Sequence, residues 1–229
     1  MLKFLGGTVG IIFIIGLIVA DITNPESVAE LFEQIRNAGR IPEVVVFNAS
    51  EKNMPVPLKD VTADVAENMW RVCCQGGFIV AQQAVAAMLP RKQGSLIFTG
   101  ATSSLRGRPQ FAAFAAAKAG LRSFAQSFAR EYGPKGIHVA HVVLDGVVGG
   151  DRASSAVGGI GKAYLMSKGT HGTLLPAAVA DIYWQLHQIT PHPLIVAPNP
   201  GSYARYHAGQ WHGQFHDPSP RRFHRRWPG

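Results

Sequence analysis

The chain has 229 residues, 47% of them hydrophobic and 16% charged. That is the balance of one domain with a buried core, and it excludes wholesale disorder, a collagen-like or coiled-coil rod and a multidomain machine. Lys and Arg total 22 against 14 Asp and Glu, a net charge of +8, but Arg205, Arg221, Arg222, Arg225 and Arg226 lie after position 200 with only Asp217 against them; the body is mildly basic and a nucleic-acid-binding core is not indicated.

In chain order, Phe4 to Ala20 is a run of 17 uncharged residues after Lys3, open to reading as a short signal, as a membrane-associated segment or as packed strand. It runs into Leu17-Ile-Val-Ala-Asp21, a buried parallel strand by composition. Asn24 then caps a helix with Pro25 in its first position, Thr23 and Glu26 stand at capping-box spacing, Val28, Leu31, Phe32 and Ile35 share one face, and Gly39 ends it. Glu43 to Phe47 is a β-branched run too short for a helix, hence a strand, and Asn48-Ala49-Ser50 follows at its carboxyl end. The pattern predicts one long helix from Thr62 to Leu89, a strand over Ser95–Thr99, an Ala-rich helix over Phe111–Tyr132, a strand over Ile137–Val143, a helix over Ala178–His187 and a last strand over Pro193–Ala197. The adjacent Cys73 and Cys74 give no disulfide framework and no zinc spacing, which points to a reduced, cytoplasmic chain with buried thiols. His138 and His141, at odd separation in one strand, face opposite sides and do not form a joint metal site.

Strands alternating with helices, the strands nearly all apolar, predict an α/β fold: a doubly wound parallel sheet covered by helices on both faces, with function at the carboxyl ends of the strands. The division expected is an apolar N-terminal segment (1–16), a Rossmann-like domain (17–200) and a basic, aperiodic tail (201–229). Arg221 to Trp227 interleaves basic and aromatic residues, and reads as a solvated end.

Several segments agree in order and spacing with one family. Val19-Ala-Asp21-Ile-Thr-Asn24, Phe47-Asn48-Ala49-Ser50, Trp70-Arg-Val-Cys-Cys-Gln-Gly-Gly-Phe78, Gly94-Ser-Leu-Ile-Phe-Thr-Gly100, Phe114-Ala-Ala-Ala-Lys118 and Gly133-Pro-Lys-Gly-Ile-His-Val139 together resemble the short-chain dehydrogenase/reductase family from Leu17 to His187. The resemblance implies an NAD- or NADP-dependent oxidoreductase acting on a small carbonyl or alcohol, with Asp21, Ile22, Asn48, Ala49 and Lys118 toward the cofactor. It also implies a homo-oligomer paired through helices 62–89 and 111–132. In that family a Tyr donates the proton, a Lys one helical turn on lowers its pKa, a Ser polarises the substrate oxygen and an Asn holds a relay water.

Here the Tyr position is Phe114, the Ser position thirteen residues earlier is Ala101 and the Asn position is Cys73; of the four only Lys118 remains. Phenylalanine has no ionisable proton, so hydride transfer is expected to be lost or strongly impaired. Two other outcomes stay open: an active reductase that uses the hydroxyl of Thr102 or Ser103 by a shift of register, and a non-catalytic binding or oligomerisation protein. Only 20 residues precede Asp21, where the family has two βα units of roughly 30 residues each, so the sheet is expected to lack its N-terminal units and cofactor binding is expected to be weak. Gly6-Gly7-Thr8-Val9-Gly10 is read as a chance cluster, with no helix after it to receive a pyrophosphate.

Overall fold

A computed structural model describes residues 18–51, 53–149, 173–188 and 194–196. The expectations for the apolar N-terminal segment up to residue 17, for the region from 150 to 172 and for the basic tail lie outside the described residues.

Helix α1 (Pro25–Asn37) starts as its sequence demands: the Asn24 side chain accepts the Ser27 N–H at 2.9 Å, and Pro25, with no N–H to lose, takes the first position. The Thr23–Glu26 pairing does not form. Thr23 instead gives both its N–H and its hydroxyl to the Asp21 carboxylate at 2.8 Å, while the Ser27 hydroxyl accepts the Asp21 N–H at 3.0 Å. This knot corrects the expected strand at 17–21. Residues 18–21 pair with no strand among the described residues, and the chain turns at once, closed by the Asn24 N–H on the Asp21 carbonyl at 3.1 Å. Apolar composition alone could not supply a ladder partner, and the Asp side chain favours the turn. Val28 and Phe32 bury the inner face of α1, and Gly39, at φ +69°, closes it in the left-handed conformation.

Strand β1 (Val44–Phe47) pairs in parallel with β2 (Gly94–Ala101), Val44 beside Ser95 and Phe47 beside Phe98. Strand β2 pairs in parallel with β3 (Ile137–Leu144) from Gly94 beside Ile137 to Ala101 beside Leu144. A two-residue pair follows, β4 (Val147–Val148) with β5 (Thr173–Leu174), and β6 (Leu194–Val196) joins β3 to give a four-stranded order β1-β2-β3-β6. Between β1 and β2 lies the long helix, though not as one regular element: α2 (Ala63–Trp70) passes through a π-helical stretch, Arg71–Gln75, into α3 (Gly76–Met88). Helix α4 (Ala112–Tyr132) joins β2 to β3, and α5 (Pro176–Gln188) precedes β6.

The two sheet faces bury separate cores. Leu96, Phe98, Ile137 and Val139 pack with α1, α3 and α4 on one side; Ile97, Ala140, Val142 and Leu144 pack with Val179, Ile182 and Leu186 of α5 on the other. Strands covered on both faces carry no polar alternation, which is why β2 and β3 read as unbroken apolar runs. The span Ala63–Arg91 is long and apolar enough to cross a membrane, but 56% of its most apolar window is buried, as in a core helix.

Candidate functional site

The carboxyl ends of β1, β2 and β3 and the first turns of α4 bring the candidate residues together. Helix α4 runs back across β2 and β3, so its inward positions meet the strand ends at the level of Thr99 and Gly100. Phe114 is buried there, part of the core, and Lys118 one turn later is only 3% exposed. The Lys118 ammonium donates to the Thr99 carbonyl at 3.0 Å and lies 5.8 Å from the centre of the Phe114 ring, within cation–π range. Burial holds this ammonium below the ordinary lysine range, an effect that Cys73 and Cys74 partly oppose. The side-chain hydroxyl of Thr99 meets the phenol of Tyr183 at 2.8 Å on the other sheet face, so one residue fastens both layers.

Beneath Lys118 sits His141, 1% exposed, its ring laid against the bare Cα of Gly100, where a Cβ would run into it. Neither ring nitrogen has a hydrogen-bond partner. Burial first, then the nearby Lys118 and Arg122 cations, push its pKa down to about 4, so the imidazole is neutral.

Cys73, fully buried within the π-helical stretch, faces the loop after β1. Its sulfur accepts the Glu51 N–H at 3.4 Å, lies 3.6 Å from the Ser50 hydroxyl and donates to the Met69 sulfur at 3.7 Å. A π-helical step often marks a functional position, and here it turns the thiol onto the segment following Asn48 and Ala49. Burial and the neighbouring Cys73 push the Cys74 thiol up to about 11, against the pull of Lys118; it stays protonated.

At the end of β2 the chain tightens into a 3₁₀ turn, Thr102–Ser104. Ala101, in the expected Ser position, has no hydroxyl, and its N–H donates to the Ser104 hydroxyl at 3.1 Å. Thr102 and Ser103 are both half-buried; the Thr102 hydroxyl donates to the carboxylate of Asp145, the residue directly after β3. The signal that could have found its partner is the register, since Ala101 beside Leu144 makes the next residue of each strand a neighbour.

Of the cofactor residues expected, Asn48 is exposed and Ala49 half-buried at the end of β1, while Ile22 packs into the core against the start of α3 at Gly76. Asp21 is exposed, its carboxyl held below the usual range by the N–H and hydroxyl of Thr23 and further by Arg71. This donor set fits the nucleoside ends of a dinucleotide: a solvent-facing carboxylate and an amide at one edge, and at the other an ammonium with N–H donors beyond the one given to Thr99. Among the described residues no glycine-rich turn opens a helix toward them; α1 opens on Asn24 and Pro25.

A family model described as short chain dehydrogenase matches residues 13–157. Versicolorin reductase 1 of Aspergillus parasiticus is 33% identical over 124 residues, 53% of this chain and 46% of the relative. The 3-oxoacyl-[acyl-carrier-protein] reductase of Escherichia coli is 31% identical over 135 residues, 57% and 53% of the two chains. The chain thus spans about half the length of the curated relatives it matches. Among solved structures, a short-chain dehydrogenase from Rhodopseudomonas palustris superposes with a TM-score of 0.61 at 34% identity, covering 79% of this chain and 72% of that one. ElxO with NADP bound superposes at 0.66 with 20% identity over 81% and 76%, a likeness of fold.

Proposed function

The chain belongs to the short-chain dehydrogenase/reductase family, and from that membership we propose that it keeps the frame of an NAD- or NADP-linked oxidoreductase while hydride transfer by the family's phenol route is lost or strongly impaired. The observation that carries this reading is Phe114: buried, one turn before the buried Lys118, and without a proton to give. A positioned acid–base group contributes typically 10²–10⁴-fold, and a carbonyl or alcohol bound beside Phe114 would find none there. Ala101 offers no hydroxyl to polarise the substrate oxygen, and the Cys73 sulfur is engaged by Glu51 and Ser50 instead of holding a water.

The chain's own residues would do three things for the cofactor. Asp21 and Asn48 would meet the adenosine end, Lys118 would donate to the nicotinamide ribose, and Phe114 would exclude water from that end. When bound, the dinucleotide supplies the hydride chemistry. We expect its binding to be weak: a glycine-rich turn gives a pyrophosphate its backbone donors, and α1, which opens at Asn24 close to Asp21, begins with a proline that has no N–H.

The test is Phe114→Tyr in the full chain. Turnover of a small ketone or secondary alcohol with NADP or NAD is expected to rise by at least a hundredfold, and no rise would sink the reading. A second reading, self-association, is favoured by a groove of about 530 Å³ on the outer side of α3 and α4, lined by Phe78, Leu89, Phe124, Phe128 and Tyr132 among others.

A further inference from the structure

We propose that Asp145, reached through the hydroxyl of Thr102, is the proton acceptor of this site, and that it serves the oxidation of a secondary alcohol. The inference rests on the reading above, that no phenol stands at position 114.

The register places Ala101 beside Leu144, so Thr102 and Asp145 leave their strands together at the carboxyl edge, where substrates meet this fold. The hydrogen bond between them joins residues 43 apart in sequence. Because an ionised carboxylate only accepts, the Thr102 proton points at Asp145, and the lone pairs of Thr102 Oγ are left to accept from something else. Asp145 is half-buried and forms no ion pair among the described residues.

Among the described residues, the other proton carriers nearby are occupied or sealed. The Lys118 group is buried, donates a hydrogen bond to the Thr99 carbonyl and, as an ammonium, has no lone pair with which to take a proton. His141 lies below Gly100, closed to a ligand, and the Cys73 thiol donates to Met69. The Tyr183 phenol is on the far face, against the Thr99 hydroxyl. Among the described residues, Asp145 is therefore the group at the ends of β2 and β3 that is both ionisable and only half-buried.

The proton path balances in one step. The alcohol O–H proton passes to Thr102 Oγ as the Thr102 proton passes to Asp145 Oδ1. A bound oxidised nicotinamide dinucleotide would take up the carbinol hydrogen with both bonding electrons, and the protonated Asp145 would then release its proton to solvent. In the direction of alcohol oxidation the carboxylate enters this cycle as the base, and the same relay run backward serves carbonyl reduction.

The experiment follows cyclohexanol oxidation with NADP or NAD by the full chain, alongside infrared difference spectra of the free protein. Slow wild-type turnover is expected. Asp145→Asn and Thr102→Val should each lower kcat by about a hundredfold with little change in KM, while Thr102→Ser, which keeps the hydroxyl, should retain the rate. The Asp145 carboxylate stretch, assigned from the Asp145→Asn difference, should shift in Thr102→Val and stay put in Thr102→Ser, a readout that needs neither cofactor nor substrate. Wild-type turnover too slow to detect, a rate that survives Asp145→Asn, or a carboxylate band indifferent to Thr102→Val overturns the relay. Phe114→Tyr separates the two readings: if it turns over cyclohexanol when the wild type does not, the relay falls and the family reading stands. If it changes nothing while Asp145→Asn abolishes turnover, the reverse holds.

Discussion

His141 and Gly100 have to be considered as one unit. The imidazole takes the space that any side chain at Gly100 would fill, and it is buried with both nitrogens unsatisfied. The unfolded chain takes up the His141 proton near pH 6.5, the folded chain only near pH 4. The stability involved is therefore full above pH 6.5 and is lost as the pH falls toward 4, an amount of roughly 3 kcal/mol. Urea midpoints measured from pH 7.5 down to 4.5 should fall in the wild type, and His141→Leu should flatten that slope. Gly100→Ala should destabilise at all pH values by about 1–3 kcal/mol, the usual penalty of overpacking; an unchanged urea midpoint would contradict the close approach. At this scale the sequence was legible where chemistry is local. Asn24 and Pro25 announced their cap, and the spacing of Phe114 and Lys118 announced that they stand one turn apart on one helix. It was silent on pairs such as Thr102 with Asp145 or Ser95 with His187, the latter 92 positions apart and joined at 2.9 Å, because only the folded register brings them within reach.

Among the elements, the helix between β1 and β2 is the instructive case. Its extent was readable from apolar periodicity and from Pro90, whereas the π-helical step at Arg71–Gln75 was not. A single wide turn leaves the residue composition unchanged, and its cause lies in what the turn must face: Cys73 meeting the backbone of Glu51 and the side chain of Ser50. Cys73→Ala should remove the sulfur that accepts the Glu51 N–H and lower stability by about 0.5–1.5 kcal/mol. Amide exchange at Glu51 should quicken more than that of β1 if the effect is local; equal protection in both proteins would mean that the sulfur does not hold this loop. Residues 18–21 failed as a strand for the complementary reason. Strand composition is a statement about burial, and pairing needs a neighbour, which the described residues do not provide, while the Asp21–Thr23 knot provides a turn.

On the scale of the whole molecule, parallel β2 and β3 with a separate apolar layer on each face were readable from their unbroken hydrophobic runs. The outer surface was not, since exposure of an aromatic cannot be told from its burial by composition. Phe78, Phe124, Phe128 and Tyr132 form a chain of ring contacts along α3 and α4, with centres 4.6 to 5.3 Å apart, and line the open groove. If that groove is a contact between copies, Phe78→Asp, at a position already 44% exposed, should shift the chain to monomer in sedimentation equilibrium while far-UV circular dichroism stays the same. A wild-type chain that is already monomeric would remove the second functional reading.

Thr99 has one further consequence. It holds Lys118 through its carbonyl and Tyr183 through its hydroxyl, and these two attachments differ in what heredity can do to them. Every residue type presents a main-chain carbonyl, so no codon change at position 99 removes the acceptor that Lys118 uses. The hydroxyl disappears with any exchange except serine or a few larger polar types, and with it the partner of a phenol whose burial already pushes its pKa up. An exchange at position 99 thus leaves the acceptor on the α4 side of the sheet in place and can remove the partner on the α5 side. Such an exchange would therefore act on one layer alone, releasing the helix that carries the exposed Trp184 while the lysine keeps its acceptor.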